Sequence, residues 1–147
     1  MAPCAFCELA AGRAGSELVV YRTDRVVAFV PHRPDAPGHV ILTPTVHCAS
    51  LFDAPAAVVA DLAEAARQLA VSYRDALGAE GVNVLHASGR AAQQSVPHLH
   101  LHLIPRQEGD GLEAWPRLGG APPSPEAIVA RLRDALGRSD APRSPSR

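Results

Sequence analysis

The spacing of apolar residues changes several times along this chain, and each change predicts an element. Leu18–Tyr21 and Val26–Val30 are short runs of β-branched and aromatic residues separated by Arg22-Thr-Asp-Arg25, a pattern that predicts a β-hairpin. Pro31 to Pro37 carries three prolines and reads as a loop. Gly38 then turns the chain into a third strand, His39–Thr43, stopped by Pro44. From Asp53 the period lengthens: Val58, Leu62, Ala65, Leu69, Tyr73 and Leu77 recur at steps of three and four, with Asp61, Glu64, Arg67 and Asp75 off the stripe. This predicts one amphipathic helix about 34 Å long. Asp53 or Ala54 stands near its N-cap, Pro55 in its first turn, and Gly78 at its C-cap.

Val82–His86 predicts a fourth strand. Between His98 and Leu103 the alternation returns, with His98, His100 and His102 on one face and Leu99, Leu101 and Leu103 on the other. The leucine face reads as packed against a core, under the long helix, and the imidazoles as lining a surface or cleft. Past Pro105 the periodicity lapses through Gly109-Asp-Gly111, Trp115-Pro116 and Gly119-Gly120. Ser124-Pro125-Glu126 then opens a short helix to Leu136, closed by Gly137. Four or five antiparallel strands with one long helix and short flanking helices predict an α+β domain. The expected domain covers residues 1–137, with a core over 4–106 and an extension over 107–137, and a Ser/Pro/Arg tail over 138–147 has the composition of a disordered segment.

At 147 residues the chain fits a single core burying roughly two-thirds of its unfolded surface. The formal net charge of −1 gives no general attraction to nucleic acid or to an anionic membrane, so neither is an expected partner and an anionic ligand must be held by local groups. There is no 18-residue apolar run and no basic start leading into an apolar stretch, which predicts a soluble cytoplasmic protein. Three cysteines argue against a disulfide framework and point to metal or to plain thiols.

Three histidines at a spacing of two admit three readings. They are polar filler on a wet face, although Thr, Lys or Glu would serve there. They bind metal, although His98 to His102 spans about 13 Å at Cα, too far for all three to meet one ion. Or one neutral imidazole attacks an electrophile such as phosphorus while its neighbours orient it and hold the developing charge. Cys4-Ala-Phe-Cys7 has the gap that lets one turn present two sulfurs to one ion. By itself it is half of a tetrahedral site, a redox pair or chance. His39 reads as a satisfied structural histidine and Cys48 as an ordinary buried thiol. Ser88-Gly89-Arg90 and Gln93-Gln94-Ser95 form a small, polar loop able to offer donors to a phosphate.

Gln94-Ser-Val-Pro-His98-Leu-His100-Leu-His102 resembles the signature of the histidine triad (HIT) nucleotide hydrolases and transferases. Cys4–Cys7, Pro37-Gly38-His39 through Pro44, His47, Gly81-Val-Asn83 and Gly89 follow in the family's order, so the resemblance covers roughly residues 4 to 106 and points to the zinc-bearing bacterial-type branch. It implies a two-step transfer at an α-phosphorus, with His100 as nucleophile, His98 orienting its surroundings, and His102, Ser95 and Gln94 at the phosphate oxygens. Ser88 stands in the phosphate loop, Phe6, Leu9 and Phe29 hold the base and ribose, and Cys4, Cys7, His47 and His98 form a structural zinc site, with no organic cofactor. A purine nucleotide or nucleotide conjugate is the implied ligand, and a homodimer with a continuous sheet the implied assembly. The pattern is departed from at Pro31, where an acidic residue is usual, at Ser88 for asparagine and at Gln93 for glycine. Trp115-Pro116 resembles a C-terminal segment that reaches the partner subunit's site in the hydrolase branch. The leading functional reading is a hydrolase of nucleoside 5′-phosphoramidates or related monophosphate conjugates. A dinucleoside polyphosphate hydrolase, phosphorylase or other nucleotidyltransferase is the second, and a nucleotide-binding zinc module with little turnover the third.

Overall fold

The apolar runs become five antiparallel strands: β1 (Val19–Arg22), β2 (Val26–Phe29), β3 (Val40–Pro44), β4 (Gly81–Leu85) and β5 (Leu101–Arg106). They form one sheet in the order β1-β2-β3-β5-β4. This computed structural model describes residues 4–114 and 125–139, which fall into two units, the sheet-bearing one and a C-terminal helix. The expectations for Trp115-Pro116, Gly119-Gly120 and the tail beyond Ser139 lie outside the described residues.

Both faces of the sheet are covered at its central strands, while Val20 on β1 and Val84 on β4 stay exposed. On one face, Val26, Ala28, Val40, Leu42, Leu99 and Leu103 pack against Leu62, Ala65, Ala66 and Tyr73 of the long helix α2 (Ala56–Leu77). On the other, Val27, Phe29 and Ile41 pack against Leu9 of the short helix α1 (Ala5–Ala10), with Phe6 beside them. Because successive strand residues point to opposite faces and neither face meets water there, β2 and β3 are buried at every position. The α2 stripe is the predicted one except at its end, where Leu77 is exposed.

Four local expectations change. The triad strand enters the ladder only at Leu101, after two of its histidines. Pro97 has no N–H to give, and the backbone after it bonds outside the regular ladder: His98 N–H donates to Val96 O, Leu99 N–H to Cys48 O, and the Thr43 hydroxyl to Leu99 O. The N-cap of α2 is Pro55. Asp53 instead braces the preceding turn, its carboxylate accepting from the N–H groups of Ala49 and Ser50 and from the Ser50 hydroxyl, each at 2.8 Å. Cys4–Cys7 lies at the head of a helix rather than in a turn. The C-terminal helix α3 (Pro125–Ser139) runs through Gly137, which keeps a negative φ; one interior glycine costs only about 1 kcal/mol against alanine.

Gly38 connects the proline loop to β3 with φ +77°, and a Cβ there would stand 2.6 Å from Pro105 Cγ. Positive φ and close packing coincide, so Gly38→Ala is expected to lower unfolding stability by more than about 2 kcal/mol. Urea denaturation checks this; a loss below about 0.5 kcal/mol, the range of neutral surface changes, would show that the loop relaxes freely.

Candidate active site

The register of β3 on β5 pairs Ile41 with His102, which sets the histidines on the α1 side of the sheet. They are not on a wet face. His98 and His100 are 0% and 5% exposed, and neighbouring rings meet edge to face, His47 with His98 at 5.0 Å and His100 with His102 at 5.0 Å between centroids. The Phe6 ring meets His100 edge-on at 5.2 Å and Phe29 at 5.3 Å. Side chains that alternation alone would expose are therefore roofed by a six-residue helix.

The hydrogen-bond network assigns the tautomers. His100 Nδ1–H donates to its own neighbour's carbonyl, His98 O, at 2.6 Å, which leaves the lone pair on Nε2. His98 Nε2–H donates to Pro44 O at 3.0 Å, which leaves Nδ1 free. His39 Nδ1 accepts from the Asp35 N–H at 3.1 Å, so its proton sits on Nε2 and is donated to His102 Nδ1 at 2.9 Å. His102 consequently carries its own proton on Nε2. His39 is thus a satisfied structural histidine, as read from the sequence, and also the group that fixes the tautomer of a triad member. His86 closes the fourth predicted strand and has a part only in the structure: its Nδ1–H donates to His100 O at 2.8 Å, and its Nε2 accepts from the Ser88 hydroxyl at 2.6 Å. Neither role has a signal in the sequence: His39 lies two residues before Ile41 and so on its face, but only the pairing of β3 with β5 brings that face to His102.

Burial disfavours the charged form and pushes the His39, His98 and His100 pKa down. His102 is pushed to about 4, by burial first and then by the neighbouring imidazoles. A ring held neutral when folded takes up a proton on unfolding below its ordinary pKa of about 6.5, so this contribution to stability is whole above that pH and lost below it. For His102 the expected result is stability falling between pH 6.5 and 4, by up to about 1.4 kcal/mol per pH unit, and the lowered pKa of His39 adds to the fall below pH 6.5. Urea midpoints across that range test it, and His39→Gln should give a shallower profile; a flat wild-type profile from pH 7 to 5 would contradict it.

Cys4 Sγ and Cys7 Sγ stand 3.4 and 3.5 Å from His98 Nδ1, and Cys7 Sγ stands 3.4 Å from His47 Nδ1. All four ligand atoms lie within 4.8 Å of one another. Tetrahedral zinc with bonds of 2.0–2.3 Å separates its ligands by about 3.3–3.8 Å, so the cluster has the spacing a metal requires. The bond from His98 Nε2–H to a backbone carbonyl is the outer contact that typically orients a ligating histidine. Two soft sulfurs and two imidazoles suit zinc among the common divalent ions.

Phe6, Leu9 and Phe29 share the walls of a cavity of about 210 Å³ with Leu18, Val30 and Pro31, and His32 is the one titratable side chain at its rim. On the other side, the loop after β4 is cross-braced. Gln94 donates both amide hydrogens, to Ala49 O at 2.6 Å and Val96 O at 2.9 Å, and its oxygen accepts the Gly89 N–H at 2.7 Å. That leaves no N–H of Gln94 for a phosphate oxygen. Ser88 accepts from Leu51 N–H as well as donating to His86, so its hydroxyl proton is committed too. Ser95 is exposed, and its hydroxyl has no partner among the described residues.

The HIT domain family profile matches residues 14–109. An uncharacterized HIT-like protein of Mycobacterium tuberculosis is 34% identical over 140 residues, 95% of this chain and 96% of the relative. An adenosine 5′-monophosphoramidase of Saccharomyces cerevisiae is 36% identical over 117 residues, 78% of this chain and 71% of that protein. Among solved structures, a Zn-bound histidine triad family protein from Mycobacterium smegmatis superposes with a TM-score of 0.71 at 33% identity, covering 93% of this chain and 95% of the other. With the five-stranded antiparallel sheet, the long helix and the three clustered histidines, these matches establish that this chain belongs to the histidine triad (HIT) family.

Proposed function

We propose that this chain hydrolyses nucleoside 5′-phosphoramidates or related nucleoside monophosphate conjugates at the α-phosphate, through a covalent nucleotidyl intermediate on His100. The observation that carries the reading is the 2.6 Å bond from His100 Nδ1–H to His98 O, which aims a neutral Nε2 lone pair away from the backbone. Nε2 attacks phosphorus, a P–N bond forms, and the bond to the amine or alcohol breaks, the departing atom taking up a proton. Water then attacks the same phosphorus, releases the monophosphate and returns His100 to its neutral state. His102 donates its Nε2–H to a phosphoryl oxygen, and the Ser95 hydroxyl supplies a second donor where charge develops. Phe6, Leu9 and Phe29 hold the base, a purine by preference for the larger stacking face. Gln94 and Ser88 act through the loop they brace.

Cys4, Cys7, His47 and His98 would hold a zinc ion, whose part is to fix α1 and His98 in place. The yeast relative's name as an adenosine 5′-monophosphoramidase supports the substrate class. An Arabidopsis thaliana relative named adenylylsulfatase, 32% identical over 111 residues, supports hydrolysis of adenylates more broadly. A homodimer is part of the proposal, since β1 and β4 are open sheet edges among the described residues and a two-fold partner would cover one of them. The test is AMP release from adenosine 5′-phosphoramidate by purified protein, with mass analysis of acid-sensitive adducts after rapid quenching. An adenylyl group on the peptide containing His100 is expected; turnover with no adduct and full activity in the His100 variant would overturn the covalent mechanism.

A further inference from the structure

All 14 basic residues of this chain are arginines; there is no lysine. Any permanently charged cationic side chain near the site is therefore a guanidinium. Of the eight arginines between residues 4 and 114, only Arg33 and Arg90 have no carboxylate or carbonyl partner for their side chains among the described residues. The others are spent: Arg13 on Glu8, Arg25 on Asp61 and Arg106 on Asp110, for example. Arg90 stands in the wall of a cavity of about 460 Å³ formed with Ala49, Ser50, Gly89, Gln94, Ser95 and Pro97. In that wall the Gln94 amide and the Ser50 hydroxyl are already bonded within the protein. The two side chains left with donors to offer are Arg90 and Ser95.

This loop is not free to drift. Gln94 ties Gly89 to Ala49 and Val96, and His86 ties Ser88 to the carbonyl of His100. Arg90 is thus an unpaired charge on a braced segment whose other end bears a proposed phosphoryl donor, Ser95. A fork of five N–H groups with no partner among the described residues is matched by a tetrahedral oxyanion, which it can grip with two parallel bonds.

We propose that the cavity bounded by Arg90 and Ser95 receives the departing half of the substrate, and that Arg90 makes the enzyme favour leaving groups that carry a phosphate or a sulfate over neutral amines. This rests on the function proposed above, so its test needs one arm that turns over and one that only binds. In the first, kcat/KM is measured with adenosine 5′-phosphoramidate, adenylyl sulfate and diadenosine triphosphate for the wild type, Arg90→Ala and Arg90→Lys. The expected result is a 10- to 100-fold fall in the ratio of either anionic substrate to the phosphoramidate in Arg90→Ala, carried in KM and partly restored by Arg90→Lys. A fall for one anionic substrate alone identifies the leaving group as sulfate or as phosphate. In the second arm, inorganic pyrophosphate is titrated calorimetrically into the AMP-saturated protein, and Arg90→Ala is expected to weaken binding at least 10-fold. Pyrophosphate binding through Arg90 without turnover of any adenylate would overturn the hydrolase and keep the subsite. Unchanged ratios together with Arg90-independent or absent pyrophosphate binding would overturn the subsite.

Discussion

His100→Ala is expected to lower kcat for adenosine 5′-phosphoramidate by on the order of 10⁴-fold or more, the scale on which removal of a covalent nucleophile acts. The size follows from the geometry. His98 and His102 cannot substitute, because His98 has Nε2 bonded to Pro44 O and Nδ1 facing Cys4 and Cys7. His102 Nδ1 is occupied by His39, and its other nitrogen bears hydrogen. Of the three, only His100 combines a bonded Nδ1–H with a lone pair that has no partner among the described residues. Because the ring is buried against Phe6, its loss also leaves a small cavity, and AMP binding serves as the control for folding. Retained AMP binding with turnover abolished is the expected pair of results. Turnover within 10-fold of wild type would place the nucleophile elsewhere, or leave direct attack by water as the mechanism.

Removal of metal is expected to have the second largest effect, this time on stability. Protein purified with zinc should hold one ion per chain, and stripping it with a chelator should lower Tm by on the order of 10 °C or more. The cause is local. Without the ion, two thiols and two imidazoles converge within 4.8 Å with no charge to join them, and a helix of six residues has little stability of its own. What remains to hold α1 is Leu9 in the core, Phe6 against Phe29 and His100, and Arg22, which donates to Ala10 O at 2.7 Å and Leu9 O at 3.0 Å at the helix's far end. Cys7→Ser should release the ion and reproduce the chelated protein, since Cys7 Sγ stands beside both histidines. AMP affinity should fall in parallel, because Phe6 sits between Cys4 and Cys7 and forms the wall of the proposed base pocket. Metal analysis with thermal denaturation decides it: no bound metal, or a chelated protein with unchanged Tm, would remove zinc from the account.

The sheet, the long helix and the shared face of the three histidines follow from local rules. Period two needs only that alternate side chains of an extended chain oppose one another, and the stripe from Val58 to Tyr73 needs only 3.6 residues per turn. These hold wherever the elements finally pack, so the sequence alone determined them, and the motif around His98, His100 and His102 was enough to indicate the family. That Cys4, Cys7, His47 and His98 form one candidate ligand set came only through the family resemblance, since nothing in their spacing brings Cys4 and Cys7 near a histidine about 90 positions away.

Tertiary structure decided the rest, because it depends on which groups meet across the sheet. Alternation would wet the imidazoles, yet α1 buries them, and that burial keeps the rings neutral. Gln94 and Ser88 look like phosphate ligands in a polar loop, yet their donors are spent on the loop itself. His39 and His86 gain their parts from contacts with β5 and His100 that no local pattern contains. The sequence fixes which face a side chain takes, since that is a property of the backbone repeat; what covers that face, and which lone pairs remain free under it, is settled only when distant segments pack and every buried polar group has found its partner.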